Sequence, residues 1–235
     1  MMSTQSEAVV ESLEYLEREE DRIRDAALAM LEAAEGALYP VDLVAIAALN
    51  RALDQSAAFR LLVSNRHFPS AAILLRTQLD SALRFSALWH VADPGQLARA
   101  IIKGEHVRRH KDRMGQLLTD ARLVELQSGD RDWLREVYDK ASGFVHLSSA
   151  HLAHAFAGPP GEDGRMPFKI GIGDEDLGDQ VYLEAIAAFD AATDLLVELV
   201  ENWTVLKATG GRTPMGGQPI GSAGAPHDVI RRRAT

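Results

Sequence analysis

The sequence predicts an all-α fold: a bundle of five to seven helices over residues 1–209, with one irregular loop or small hairpin at 158–180. A Gly/Pro-rich tail at 210–235 follows and is expected to stay disordered. Three observations lead there. Of 235 residues 46% are hydrophobic but only 6% aromatic, and Ala and Leu, both strong helix formers, supply most of the apolar content. Apolar residues recur in steps of three and four over long stretches, the period of a helix with one buried face. Strand-like sequence is confined to Met166–Ile172, inside a run of Gly, Pro and acidic residues, which reads as a loop.

From about Ser6 to Ala34 one long helix is expected. Val9, Leu13, Leu16, Ile23, Ala27, Met30 and Ala34 form its apolar seam, and Glu20 is the only polar intruder. That seam suits either a neighbouring helix of the same bundle or a second copy of the chain. Pro40 opens a second helix, since proline is tolerated in the first turn. Its Leu43, Val44, Ile46, Leu49, Leu53, Ala57 and Leu61 are apolar on more than one side, which predicts a central position. Phe68-Pro69 opens a third helix, apolar almost all round except for Arg76, Asp80 and Arg84, spaced four apart on one face.

Asp93-Pro94-Gly95 ends that helix, and a fourth is expected to carry Arg99, Lys103, Arg108, Arg109, Lys111 and Arg113. A less regular stretch, Gln116 to Gln127, leads to the turn Ser128-Gly129-Asp130. A helix then runs from Asp132 toward His146, bending near Gly143, and Ser148-Ser149 cap a short helix to Phe156. The last long helix spans Val181 to Lys207, with Ile186, Phe189, Leu196, Val200 and Trp203 at helical spacing. The tail has almost no apolar residues to bury and ends in Arg231-Arg232-Arg233.

Composition limits the chemistry. Without cysteine, disulfides and thiolate metal sites are excluded. No basic n-region followed by an apolar core opens the chain, and no apolar run reaches the ~18–20 residues of a membrane span. A cytoplasmic protein without membrane association is the expectation. A net charge of -9 argues against broad nucleic-acid binding but leaves room for a local basic patch. Phosphate-loop, dinucleotide and nucleophile-elbow motifs are absent. His106-Val107-Arg108-Arg109-His110 has zincin spacing but Val107 where the glutamate belongs. Steps of five and three scatter His146, His151 and His154 around a helix, so neither a metal nor another cofactor is expected.

Two polar groupings remain. Arg135, Tyr138, Ser142 and His146 are spaced three, four and four apart, one stripe on a helix whose Val137, Ala141 and Val145 can face the core. A hydroxyl one turn below a histidine can fix its tautomer, and histidine transfers protons near neutral pH. A hydrogen-bonded network that sets helix register fits the same spacing. Arg76, Asp80 and Arg84, in a nearly apolar helix, must pair internally or line a pocket, because an unpaired buried charge costs several kcal/mol.

These groupings carry a resemblance. YDKASGFVHLS (Tyr138–Ser148), preceded by LLRTQLDSALRF (Leu74–Phe85), resembles bacterial HEPN-like helical proteins over about Leu61–Phe156. The shared pattern is an apolar helix with an Arg followed by an acid, then a Tyr-x-x-x-Ser-x-x-x-His-like helix. The resemblance implies an all-α homodimer of toxin–antitoxin or phage-defence type, acting as a metal-independent ribonuclease or an RNA-binding derivative. A cognate antitoxin protein is the implied partner. In that chemistry an Arg, then four to six residues, then a His form the pair: the Arg holds the scissile phosphate and the His moves the proton. Here the window holds Lys140 and no Arg. The implied catalytic set is His146, Lys140 and Ser142, and the implied binding set Arg76, Asp80, Arg84, Arg135 and Tyr138. The alternative is a non-catalytic helical homodimer that binds a protein partner or small ligand.

Overall fold

Eight α-helices follow one another among the described residues: α1 (Glu7–Glu32), α2 (Pro40–Ser64), α3 (Phe68–His90), α4 (Pro94–Ile102), α5 (Asp120–Gln127), α6 (Asp132–Val145), α7 (Ser149–Ala155) and α8 (Asp179–Ala208). The computed structural model describes residues 5–129, 131–146, 148–155, 164–168, 170–171, 174, 177–209 and 220–222. The all-α bundle is the observed fold. Its body is α1, α2, α3 and α8, of 26, 25, 23 and 30 residues.

The seam of α1 is spent inside the chain. Val9, Leu13, Leu16, Ile23, Ala26 and Met30 are buried, and α1 packs on α2 and α8. The intramolecular role therefore holds, and this seam is not open to a second copy. Glu20, the intruder, is 5% exposed and is matched by Arg24 at 3.2 Å, Arg60 at 3.0 Å and the Ser56 hydroxyl at 3.2 Å. A carboxylate in an apolar seam needs such partners. α2 takes the expected central position, packed on α1, α3, α4 and α8, and α3 shares the centre with it, packed on α2, α4, α5, α6 and α8. On α2, Leu61 stays 64% exposed.

One helix is shorter than its sequence predicts. Instead of running to Arg113, α4 stops at Ile102, because Gly104 takes φ +88°, a left-handed conformation that suits glycine. Its N–H donates to Ile101 O at 2.9 Å and that of Glu105 to Ala100 O at 3.0 Å, the paired bonds of a Schellman termination. The basic residues beyond Lys103 thus sit on a loop with a short 3-10 turn at Val107–Arg109. That loop is pinned by Asp112, whose carboxylate accepts from the N–H groups of Met114 and Gln116 at 2.9 Å each and from Arg122 at 2.8 Å. Burial raises the Asp112 pKa, but these donors outweigh it and hold the group below its ordinary value.

The tail also differs in part from expectation. Gly221–Ser222 pairs antiparallel with Ala37–Leu38, and the Ile220 N–H donates to Leu38 O at 2.7 Å. Residues 210–219 and 223–235 lie outside the described residues, as does much of the 158–180 loop. Among the described residues, no helix is long and apolar enough to cross a membrane.

Where α1 meets α8, carboxylates crowd. Burial pushes the Asp190 pKa up to about 6, Asp194 and Glu19 add to this, and Arg22 opposes it. The folded value lies above the ordinary 3.8, so the fold disfavours the ionised form. Its stabilising contribution is complete below about pH 4 and is lost as pH rises to about 6. Asp190→Asn should therefore raise unfolding free energy at pH 7.5 by about 1 kcal/mol, after discounting for solvent screening. It should change little at pH 4. Urea unfolding at the two pH values checks this, and an equal effect at both would refute it.

Candidate functional site

The two polar groupings of the sequence meet where α6 crosses α3. Arg76 Nε donates to the Ser142 hydroxyl at 2.9 Å, its guanidinium lies 3.8 Å from the Tyr138 ring centroid, and it pairs with Asp80 one turn along α3. Ser142 in turn donates to Tyr138 O at 2.6 Å. α6 presents this face because Leu134 and Ala141 are buried at 0% and 3%, which fixes its rotation. Arg76 is itself 7% exposed. A guanidinium so enclosed by a carboxylate, a hydroxyl and an aromatic face has its charge paired. The Tyr138 pKa is raised, with burial the largest cause, so its phenol stays protonated at neutral pH.

The remaining expected residues stand apart. Arg84 is 54% exposed and lies 4.0 Å from Asp80 and 3.6 Å from Asp120. Arg135 is exposed beside a shallow recess that includes Arg122 and Glu125. Lys140, 70% exposed, pairs with Glu136 at 2.6 Å, and that pairing raises its pKa. His146 is not on the helix. α6 ends at Val145, and His146 follows in extended backbone, φ -116° and ψ 149°, exposed and with no hydrogen bond or ion pair among the described residues. Val145, expected toward the core, is 43% exposed. The stripe thus holds for Tyr138 and Ser142 but loses His146 to helix termination. Lys140, Ser142 and His146 form no joint hydrogen-bond network among the described residues.

Asp80 and Arg84 also line a cavity of about 610 Å³ between α2, α3 and the loop after α4. That is within the roughly 300–1,000 Å³ of small-molecule sites. Its wall is apolar where Val44, Ala48, Phe85, Ile101 and Val107 contribute. Arg51, Arg108 and His106 join Arg84 as basic groups, and Glu105 and Asp120 join Asp80 as carboxylates. Spacing in the sequence did not indicate Arg51, Glu105 or Asp120, which come from three separate elements. A second recess, of about 450 Å³, lies along the same loop and takes Arg99, Lys103 and Lys111 with Asp93 and Glu105.

The paired histidines of the loop hold no zincin geometry, since His106 and His110 flank the 3-10 turn and His110 lies 3.5 Å from Glu105. Among the described residues no three His, Asp or Glu side chains are grouped to hold a metal. His151 leans on Phe144 at 5.9 Å, while the His154 side chain lies outside the described residues. No family model, curated protein or solved structure matches this chain.

Proposed function

We propose that this chain is a HEPN-like helical protein of toxin or phage-defence type that binds single-stranded RNA at the basic loop after α4. One observation carries the reading. Lys103, Arg108, Arg109 and Lys111 are exposed on one pinned loop and have no ion-pair partner among the described residues. On a chain of net charge -9, a local cluster of free cations is what a phosphate backbone would seek, over a screening length of about 8–10 Å. The loop needs little further ordering on binding, which lowers the entropic cost. A second copy and an antitoxin protein are the partners this reading calls for.

The test is anisotropy of a labelled single-stranded RNA across salt concentrations. Binding should fall with salt by a log–log slope of about -0.7 for each phosphate contact. Arg108→Glu with Arg109→Glu should abolish binding at physiological salt without changing the melting temperature, because neither residue is buried or paired. Unaltered binding in the double variant would overturn the proposal.

Metal-independent cleavage is the second reading, favoured by the exposure of His146 just past the end of α6. His146→Ala should then leave RNA affinity and stability unchanged while cleavage is lost. Lys140→Arg should raise cleavage, since a planar fork holds phosphate better than a point charge. Cleavage equal in wild type and His146→Ala would end this reading.

A further inference from the structure

We infer that the 610 Å³ cavity binds a free nucleotide whose base carries an exocyclic amino group, guanosine monophosphate best of all. The inference does not rest on RNA binding at the loop. It rests on three kinds of wall that occur together. Val44, Ala48 and Ile101, backed by the buried Phe85, offer an apolar surface for a flat ring. Asp80, Glu105 and Asp120 are acceptors only, with Arg76, Arg84 and His110 beside them, so a ligand meets their remaining lone pairs best with N–H or O–H donors. Arg51 and Arg108 are exposed cations at the same cavity with no carboxylate partner among the described residues, so their donors are open to an anionic group of a ligand.

Simpler ligands fail on one wall or another. A bare phosphate would meet three carboxylates and leave most of the volume empty. A polyamine would meet Arg51, Arg84 and Arg108. A fatty chain would bury the charges without partners, at a cost of several kcal/mol. A nucleotide satisfies all three, with its base on the apolar wall, its amino group on the carboxylates and its phosphate toward Arg51 and Arg108. Guanine presents two adjacent N–H donors that one carboxylate can accept together, whereas uracil has no amino group. Asp80 is held in place for this by the buried Arg76, so its geometry is set before binding.

Isothermal titration of the full chain with guanosine, adenosine and uridine monophosphates, and with inorganic phosphate, tests the inference. One guanosine monophosphate should bind per chain, with uridine monophosphate and phosphate weaker by roughly tenfold or more, the equivalent of one good charge-assisted hydrogen bond. Ala47→Trp, at an exposed position on the cavity rim, should block the site, and Arg51→Glu should weaken the nucleotide about tenfold by removing a phosphate contact. Both residues are exposed, so circular dichroism and melting should remain as in wild type. The inference is overturned if no nucleotide binds, if uridine monophosphate or phosphate matches guanosine monophosphate, or if Ala47→Trp binds as wild type does. Nucleotide binding without RNA binding would leave this site standing and sink the loop proposal. RNA binding with no nucleotide binding would do the reverse.

Discussion

Lys207→Ala should destabilise the fold by about 3–5 kcal/mol, the expected loss when one member of a buried ion pair is removed. Lys207 and Asp42 side chains are both 0% exposed and lie 3.1 Å apart. The ammonium also donates to Met30 O at 2.7 Å. Asp42 accepts in addition from the Tyr39 N–H at 2.7 Å and from Trp203 Nε1 at 2.6 Å. One cluster thus ties the end of α1, the start of α2 and the last turns of α8. Removing the ammonium strands a carboxylate and a carbonyl in a dry site. Lys207→Met keeps the aliphatic stem and should cost nearly as much, because the stranded charge dominates over lost packing. Lys207→Met with Asp42→Asn should recover a large part, since no net charge is then left buried. Urea unfolding of the three variants measures this, and a cost below about 1 kcal/mol for Lys207→Met would show that water reaches the pair.

The helices were legible because their signals are local. Pro40, Pro69 and Pro94 each stand at the first or second helical position, and the spacing of Val9, Leu13, Leu16, Ile23 and Met30 names a buried face without reference to the rest of the chain. Glu20, out of place in that face, was visible as an anomaly, although its partner Arg60 was not. The basic stretch after Lys103 gives no local sign of its loop, because charge and spacing continue a helical pattern through Gly104. The backbone turns there, and only a left-handed glycine marks the place. His146 is ambiguous for a similar reason: the periodicity of α6 continues one residue past its last turn, and helix ends fray and vary by a residue or two.

The site was legible in halves. Arg76 and Asp80 were flagged on one helix, Tyr138 and Ser142 on another, each from its own spacing. Their contact is a tertiary fact, made across 66 residues, and no pattern in either segment states it. The cavity was less legible still. Arg51 looks like any exposed residue of an amphipathic helix, and Asp120 like a helix-opening acid. Only the packing of α2 and α3 with the loop gathers them. Lys207 carried a faint signal, as a cation one turn beyond Trp203 on the buried face of α8.

Asp80→Ala should cost about 2–3 kcal/mol, because it removes the carboxylate from a largely buried guanidinium. Arg76 has a side chain 8% exposed, against 19% for Asp80. After the substitution Arg76 keeps the Ser142 hydroxyl and the Tyr138 ring, so its charge is solvated by dipoles but no longer balanced. Arg84 adds little to this cost, since it is 54% exposed and has Asp120 at 3.6 Å. Arg84→Ala should accordingly fall within about 0.5 kcal/mol of wild type. Ser142→Ala should lie between the two, at about 1.5 kcal/mol, the low end for a hydrogen bond to a charged donor that retains other partners. Replacing Arg76 with Met and Asp80 with Leu together should restore most of the stability lost in Asp80→Ala, as paired apolar substitution of buried ions often does. The ordering across these four variants, read by urea unfolding, is the diagnostic. If Arg84→Ala proved as costly as Asp80→Ala, both arginines would be leaning on that carboxylate equally, and the division between a buried pair at Arg76 and an open cavity wall at Arg84 would be wrong.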